Sequence, residues 1–461
     1  MGNPRSLPHT WNSFERKRRS QRYKRLNSKS DGWVLQNETV TNPPNLANQV
    51  DDFPTLTLFR HRILLLGASI RWAAQSASRH YPVVGMDLFG DQDTHEACHR
   101  FRRISPLEQS DRPRLQLAAE RFARQENAFP LRVGGLPPEP KLSLRQTESL
   151  AHQFGFSFPE THTTEEFFTP RNNHLQSAVR QQPSRWLLKQ AESSGGLGVQ
   201  TRKSIDIDRP PANAFLQRRV DGRSYGLVAF SAGSTVRLLG ITRSTHVRIG
   251  SLPFVYAGSR SISFEEYPDF DRMQSLAHAV AETRQLHGLF NLDFIRDRHD
   301  RWWLLEVNER PSASCEVIEK IAQHALRPNN SASLMSLHIA AQPTIRKHIN
   351  VGPSPDRFPP LSNESNPSRA QIVKRIVYSS RGGHVYLSRM QSVETAMQRE
   401  MDCESSEIQI ADRPAEGTPI RRGHPVATLL IASTESSRDI AARVKTLTRA
   451  VQSCVAPNEP S

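Results

Sequence analysis

Two apolar stretches that carry acids on one face constrain this chain more than any other feature. Gly288-Leu289-Phe290-Asn291-Leu292-Asp293-Phe294-Ile295 and Arg301-Trp302-Trp303-Leu304-Leu305-Glu306-Val307-Asn308 read as strands, and the polar run Asp297–Asp300 between them is a hairpin signal. With the turn centred on Arg298–Arg301, Ile295 pairs with Leu304 and Asp293 falls opposite Glu306. Side chains alternate along a strand, so Glu306 and Asn308 share a face, and the cross-strand neighbour Asp293 points the same way. Two carboxylates set among Leu, Phe and Trp repel each other and lose water, at a cost on the order of several kcal/mol. Hard oxygen ligands on one face suit Mg2+, which shares its coordination with phosphate oxygens and water. The plainer alternative, exposed acids on an edge hairpin, fits the apolar flanks less well.

Two further pieces lie upstream. Trp186-Leu187-Leu188-Lys189 reads as a strand ending in lysine, followed by the loop Ser193-Ser194-Gly195-Gly196-Leu197-Gly198-Val199. Such a loop exposes backbone N–H groups that can close around phosphate oxygens, and the lysine adds a mobile charge. It is not a P-loop, because the G-x-x-x-x-G-K-[ST] order is absent, and an ordinary hairpin would use the same glycines. Phe215-Leu216-Gln217-Arg218-Arg219-Val220-Asp221-Gly222 then reads as a strand ending at an Asp-Gly turn, with another strand at Ser224–Phe230.

The surroundings fit an enzyme built on an α/β frame. Arg62–Ser69 reads as a buried strand running into a tight turn, Arg71–His80 as a helix and Tyr81–Leu88 as a second strand, which together make a parallel βαβ unit. No G-x-G-x-x-G follows the first strand, so a dinucleotide site is not expected. Asp271–His287 is an amphipathic helix with Met273, Leu276, Ala277 and Val280 on one face. Residues 341–370 hold six prolines and read as a linker; beyond them come short strands at Ile376–Tyr378 and Val426–Ile431 and a final helix at Ser437–Val451. The longest apolar run is strand-sized, so no membrane span is expected. Cys98, Cys315, Cys403 and Cys454 form no C-x-x-C pair, which argues against a disulfide or zinc scaffold, and no secretory leader pattern opens the chain. A cytoplasmic location follows as the expectation.

The net charge of +15 suggests nucleic acid, but residues 1–30 supply +8 of it. Residues 1–58 read as a disordered basic tail, compatible with phosphate binding, an Arg-rich targeting segment or myristoylation at Gly2. A non-enzymatic nucleic-acid binder, using this tail and Arg100–Arg103, is one alternative to an enzyme of phosphate chemistry. A zinc peptidase is another, since His95-Glu96-Ala97-Cys98-His99 matches H-E-x-x-H and Glu120 stands where a third ligand would follow. The polar, Gly-containing segment before it and Pro106 after it favour a surface helix start instead.

In order along the chain, Lys189 with the Ser-Ser-Gly-Gly-Leu-Gly loop, Phe215–Gly222, and Asp293 with Glu306-Val307-Asn308-Glu309-Arg310-Pro311 resemble the ATP-grasp superfamily of ligases. The resemblance covers about Arg60–Ala340; more loosely, the chain resembles uncharacterised ATP-grasp proteins associated with pterin-linked one-carbon metabolism. It implies an α/β fold with an α+β core: an N-terminal Rossmann-like domain over 59–150, an ATP-grasp core over 151–340, a linker over 341–370 and a small C-terminal domain over 371–456. It also implies that Lys189 holds ATP phosphates under Ser193, Ser194, Gly195, Gly196 and Gly198, and that Gln217, Arg218 and Val220 line the adenine. Asp293, Glu306 and Asn308 would bind Mg2+, or Mn2+ in its place, and Arg310 would steady the transferring phosphoryl group. The implied reaction activates a small carboxylate as an acyl phosphate for attack by an amine; a homodimer is an allowed assembly. Four positions depart from the pattern. Gln190 replaces a proline, Arg218 an acid at the ribose contact, and Asn291 an arginine found in some relatives. Glu309 replaces the proline before Arg310, where it either adds charge near the metals or faces solvent. Arg243 and His246 are further candidates for gripping a carboxylate.

Overall fold

Ile63, Leu64 and Leu65 are fully buried in succession, as a strand covered on both faces requires. They belong to β1 (Arg62–Gly67), at the interior of a parallel sheet in the order β3-β2-β1-β4, with β2 at Val83–Asp87, β3 at Arg100–Arg103 and β4 at Ala128–Gly134. The helix Arg71–Ala77 makes the crossover from β1 to β2, so the expected βαβ unit is present. The computed structural model describes residues 61–136, 142–201, 213–262, 270–325, 333–348, 370–399 and 407–457. The basic tail at 1–58 and most of the 341–370 linker lie outside the described residues. Among the described residues no helix is long and apolar enough to cross a membrane, and Cys98, Cys315 and Cys454 are free thiols.

A small antiparallel sheet follows in the order β5-β8-β6-β7: Thr161–Thr163, Ala214–Arg218, Trp186–Gln190 and Val199–Thr201. Alternate residues Trp186 and Leu188 of β6 and Ala214 and Leu216 of β8 bury one face against Phe167, Leu175 and Val179 from two short helices. The other face carries Leu187 and Gln217.

The main sheet has eight strands in the order β13-β12-β9-β10-β11-β14-β18-β16. In chain order these are β9 (Gly222–Ala232), β10 (Thr235–Ile249), β11 (Leu252–Ser261), β12 (Gly288–Asp297), β13 (Trp302–Asn308), β14 (Gln371–Tyr378), β16 (Glu407–Ala411) and β18 (Pro425–Ser433). Tyr225, Leu227, Phe290, Leu292 and Phe294 pack on the helix Phe270–Arg284 through Met273, Leu276, Ala277 and Val280, the four residues its periodicity singles out. The helix Ser314–Ala325 covers the opposite face. β14 pairs with β11 at Gly258↔Arg375, Ser259↔Lys374 and Arg260↔Val373, so the 371–456 region continues the sheet of the 151–340 region. This pairing covers the Gly258–Arg260 part of the β11 edge. Helices Leu387–Arg399 and Ser437–Ser453 complete a C-terminal core around Val377, Leu429 and Val451, beside a small sheet of β15 (Gly383–Val385), β17 (Pro419–Ile420) and β19 (Val455–Ala456).

The H-E-x-x-H reading does not survive. Its helix runs Gln92–Ala97 and stops at Cys98, whose backbone is extended (φ −112°, ψ 134°). His95 and His99 therefore never share a helical face. His95 stacks on Phe101, His99 Nε2 lies 3.1 Å from Arg62 Nη2, and Glu96 pairs with Arg413 at 3.1 Å. Glu120, the proposed third ligand, accepts a hydrogen bond from Gln116 one turn before it on its own helix.

Candidate active site

Asp293 does lie opposite Glu306, although the hairpin reaches that register by another route. Asp297 N donates to Arg301 O, Asp300 takes φ +59°, and the loop is the three-residue type that ends in a left-handed residue. Ile295 consequently pairs with Trp303, not Leu304, and a bulge at Leu305 restores the Asp293↔Glu306 pairing. Asp297 locks the turn: its carboxylate accepts from the His299 amide (2.8 Å), the Arg301 amide (3.1 Å), Arg301 Nε (2.9 Å) and Trp303 Nε1 (3.0 Å). Burial opposes its ionisation, but these donors win and hold the carboxyl well below the usual range.

Around Asp293 the chain builds a cradle of amides. Asn291 Nδ2 donates to Asp293 Oδ1 and Asn308 Nδ2 to Asp293 Oδ2, both at 2.8 Å; Asn308 Nδ2 also lies 3.2 Å from Glu306 Oε1. Ser312 Oγ donates to Asn291 Oδ1 at 3.0 Å. Burial and then the Glu306 carboxylate push the Asp293 carboxyl up to about 7, against the pull of Asn291 and Arg310. This is the like-charge frustration that a bound cation relieves. Gly226, cross-strand from Asp293, keeps the approach open: a β-carbon there would sit 2.9 Å from Ser314 Oγ and 3.5 Å from Asp293 Oδ1. Two carboxylates and an amide whose half-turn presents its oxygen fit a hard divalent ion.

The Ser193–Val199 loop joins β6 to β7, and Lys189 pairs across to Val199 and to Phe215. Gly195 and Gly196 take φ +62° and +76°. The loop is docked on β11: Tyr256 N donates to Gly195 O at 3.0 Å, and a β-carbon on Gly196 would collide with the Phe254 carbonyl. Glu192 reaches Arg112 at the start of the helix Arg112–Gln125. Gln217 is buried and donates from Nε2 to Thr161 Oγ1 at 3.0 Å. The amides of Arg218 and Arg219 are taken by the carbonyls of Glu160 and Arg185, so only part of the 217–220 backbone is left to meet a base.

Arg310 follows the hairpin and packs its guanidinium on Gly134 at the end of β4; a β-carbon on Gly134 would lie 2.7 Å from Arg310 Nε. Glu309 neither joins the metal side nor faces water. It is largely buried and takes Arg284 Nε and Nη2 at 2.7 and 3.1 Å. Arg243 lies on the wrong face for the carboxylate site: it pairs with Tyr225, which pairs with Phe294, whereas Thr242 lies in the row of Gly226 and Asp293. His246 pairs with Tyr256 beyond a bulge. Sequence reasoning missed Tyr256, which binds the Gly-rich loop through its amide and accepts Tyr378 Oη on its carbonyl at 2.7 Å. It also missed a buried ionic knot. Arg71 donates to both Glu316 oxygens and to Asp412, and Lys374 Nζ lies 2.7 Å from Glu316 Oε2. Buried positions among Arg, Lys and Glu residues carry no local signal of that kind.

Comparison with known proteins agrees with this geometry. Residues 147–314 match the model of the ATP-grasp domain. This region of the chain is similar to the ATP-grasp domain. Its strands β6–β13, with the Gly-rich loop and the acidic hairpin, lie within that match. Among solved structures, an L-amino acid ligase from Bacillus licheniformis superposes with a TM-score of 0.55 at 12% identity, over 86% of this chain and 98% of that one. A carboxyaminoimidazole ribonucleotide synthase from Aspergillus clavatus complexed with ATP gives 0.53 at 12%, over 85% and 99%. An N5-carboxyaminoimidazole ribonucleotide synthetase in complex with ADP gives 0.53 at 13%, over 87% and 100%. At these identities the likeness is one of fold, and it extends beyond the ATP-grasp domain to both flanking regions. No curated protein matches the sequence.

Proposed function

We propose that this ATP-grasp protein is an ATP-dependent ligase. It would transfer the γ-phosphoryl of ATP to a carboxylate, giving an acyl phosphate and ADP. An amine would then attack the acyl carbon and expel phosphate, leaving an amide and a proton. The observation that carries the reading is Asp293 facing Glu306 on one sheet face, strained toward protonation and bracketed by two asparagines. Asp293, Glu306 and Asn308 would hold Mg2+, or Mn2+ in its place, which would supply positive charge for phosphoryl transfer.

The chain's own groups have separable tasks. Lys189 neutralises phosphate charge, and the amides of the Ser193–Gly198 loop orient the phosphates. Docking of that loop on Tyr256 excludes water from the transfer. Arg310 offers a fixed cation beside the transferring group, where preorganised charge lowers the barrier most. Asn291 and Ser312 hold Asp293 in its rotamer. The fold likeness to an L-amino acid ligase and to two ribonucleotide synthetases supports this assignment, as does the family match.

The test is Mg2+-dependent ADP release with a panel of carboxylates paired with amines, Glu306→Gln serving as the inactive control. Release that needs one particular pair and disappears in the variant is the expected result. No release together with no Mg·ATP binding by calorimetry overturns the reading.

A further inference from the structure

An acidic cluster at the carboxyl ends of β1 and β2 has no task in the reaction above. Asp87 ends β2, Asp91 and Asp93 open the helix Gln92–Ala97, and Asp412 follows β16. Three of the four are accounted for. Asp87 accepts the amides of Ile70 (3.1 Å), Phe89 (3.0 Å) and Gly90 (2.8 Å). Asp93 accepts those of Asp412 (2.9 Å) and Arg413 (3.0 Å), and Asp412 takes Arg71 Nε at 2.9 Å.

Asp91 is different. It stands at the N-cap, where an aspartate ordinarily accepts an amide of the first turn, yet its side chain makes no capping bond. It is 8% exposed, and among the described residues no hydrogen-bond donor or ion-pair partner meets its carboxyl. The charged groups facing it are Asp412, Asp87 and Asp93, and then Arg71, whose donors already serve Asp412 and Glu316. Burial and the three acids push its carboxyl up to about 8. Three residues on, along the same side of the turn, Thr94 is fully buried with Oγ1 unpartnered. A largely buried acid that meets no donor among the described residues, beside a fully buried hydroxyl with no partner, is what an absent polar ligand leaves behind.

Backbone bonds connect the end of β2, where the cluster begins, to the end of β4. The Leu88 amide bonds Ala68 O (3.2 Å) and the Ala68 amide bonds Gly134 O (2.9 Å), and Gly134 is where Arg310 packs. The crevice between β1 and β4 is the point where the sheet order reverses, the usual ligand position in an open α/β sheet. An inorganic cation fits less well, since no group of three or more His, Cys, Asp or Glu among the described residues is arranged to hold a metal.

We infer that Asp91, with Thr94 beside it, binds a cationic nitrogen carried by one of the two substrates of the ligase. The inference rests on the ligase reading and narrows its substrates to those bearing an ammonium or similar group. An ammonium supplies three donors, enough for both carboxylate oxygens and the hydroxyl.

The test titrates the full-length protein, loaded with Mg·ATP, with 1,4-diaminobutane and with its neutral counterpart 1,4-butanediol. The diamine should bind about tenfold or more tighter than the diol, and Asp91→Asn should abolish the difference while leaving the fold at least as stable. Because binding a cation ionises a carboxyl that is protonated in the free protein, diamine affinity should also rise between pH 6 and pH 8 in the wild type alone. Thr94→Val gives a second, smaller loss that does not depend on the aspartate variant. Equal affinity for the two probes, no binding of either, or a preference that survives Asp91→Asn overturns the inference. Failure of Mg·ATP itself to bind overturns the ligase reading instead.

Discussion

Gly196→Ala tests whether the docked loop is the working conformation. At φ +76° an alanine pays about 1–2 kcal/mol in backbone strain. Its β-carbon would also overlap the Phe254 carbonyl oxygen and lie 2.7 Å from the carbonyl carbon, both rigid backbone atoms of β11. The loop must lift, and the Tyr256 N to Gly195 O hydrogen bond goes with it, a further loss of about 0.5–1.5 kcal/mol before any lost packing. Gly195→Ala is the matched control: it has the same left-handed backbone, φ +62°, with nothing within 4 Å of the added carbon. The contact itself is thus worth about 1–2 kcal/mol, a further five- to thirtyfold weakening of Mg·ATP relative to Gly195→Ala. Calorimetry reads the affinity, and hydrogen exchange at the Tyr256 amide reads the docking without nucleotide. Equal weakening in the two variants, or an unchanged Tyr256 amide in Gly196→Ala, would refute the reasoning.

Three more outcomes follow from the electrostatics. Asp293 ionises near 4 when unfolded and about 7 when folded, so the native state holds more protons between those values and loses stability as pH rises through them. Asp293→Asn should therefore raise the nucleotide-free melting temperature at pH 8, match the wild type near pH 4, and abolish ADP release. Glu316→Ala strands the buried Arg71 and Lys374 and should cost about 3–5 kcal/mol in urea unfolding, while Arg62→Ala, at a 35% exposed side chain, costs about 0–1 kcal/mol. Asp297→Ala removes four hydrogen bonds from the hairpin turn and should cost about 2–3 kcal/mol at neutral pH. Because the folded carboxyl lies below its unfolded value, that loss should shrink as pH falls below about 4 and the wild-type advantage is titrated away.

Local pattern carried much of the site. Alternation alone put Asp293, Glu306 and Asn308 on one face, since the pleat has period two and apolar neighbours mark the buried side. The register was legible only to the extent that two errors cancelled. A three-residue loop moved the pairing by one, and the bulge at Leu305 moved it back. Neither Arg298–Asp300 nor Leu305 announces itself by composition. The H-E-x-x-H match failed for a comparable reason. Its i,i+4 geometry holds only while a helix continues, and β3 draws the chain into extended form at Cys98 to pair with β2. Glu309 found Arg284, twenty-five residues away on a helix whose rotation no spacing rule specifies.

By itself, then, the sequence determined the elements whose signal is periodic: the apolar run of β1, the amphipathic helix over Met273 to Val280, the glycines of the Ser193–Val199 loop and the acids of the hairpin. These are set by interactions between residues a few positions apart. The tertiary structure alone decided that β14 would extend the main sheet, that Tyr256 would hold the loop, and that residues 71, 316, 374 and 412 would share one buried ionic knot. It also left the Asp91 carboxyl without a donor among the described residues. Such contacts join segments far apart in the chain, 341 residues in the case of Arg71 and Asp412. They depend on which strand edge stays open and which charge is stranded once the layers have packed, and those quantities exist only in the assembled fold.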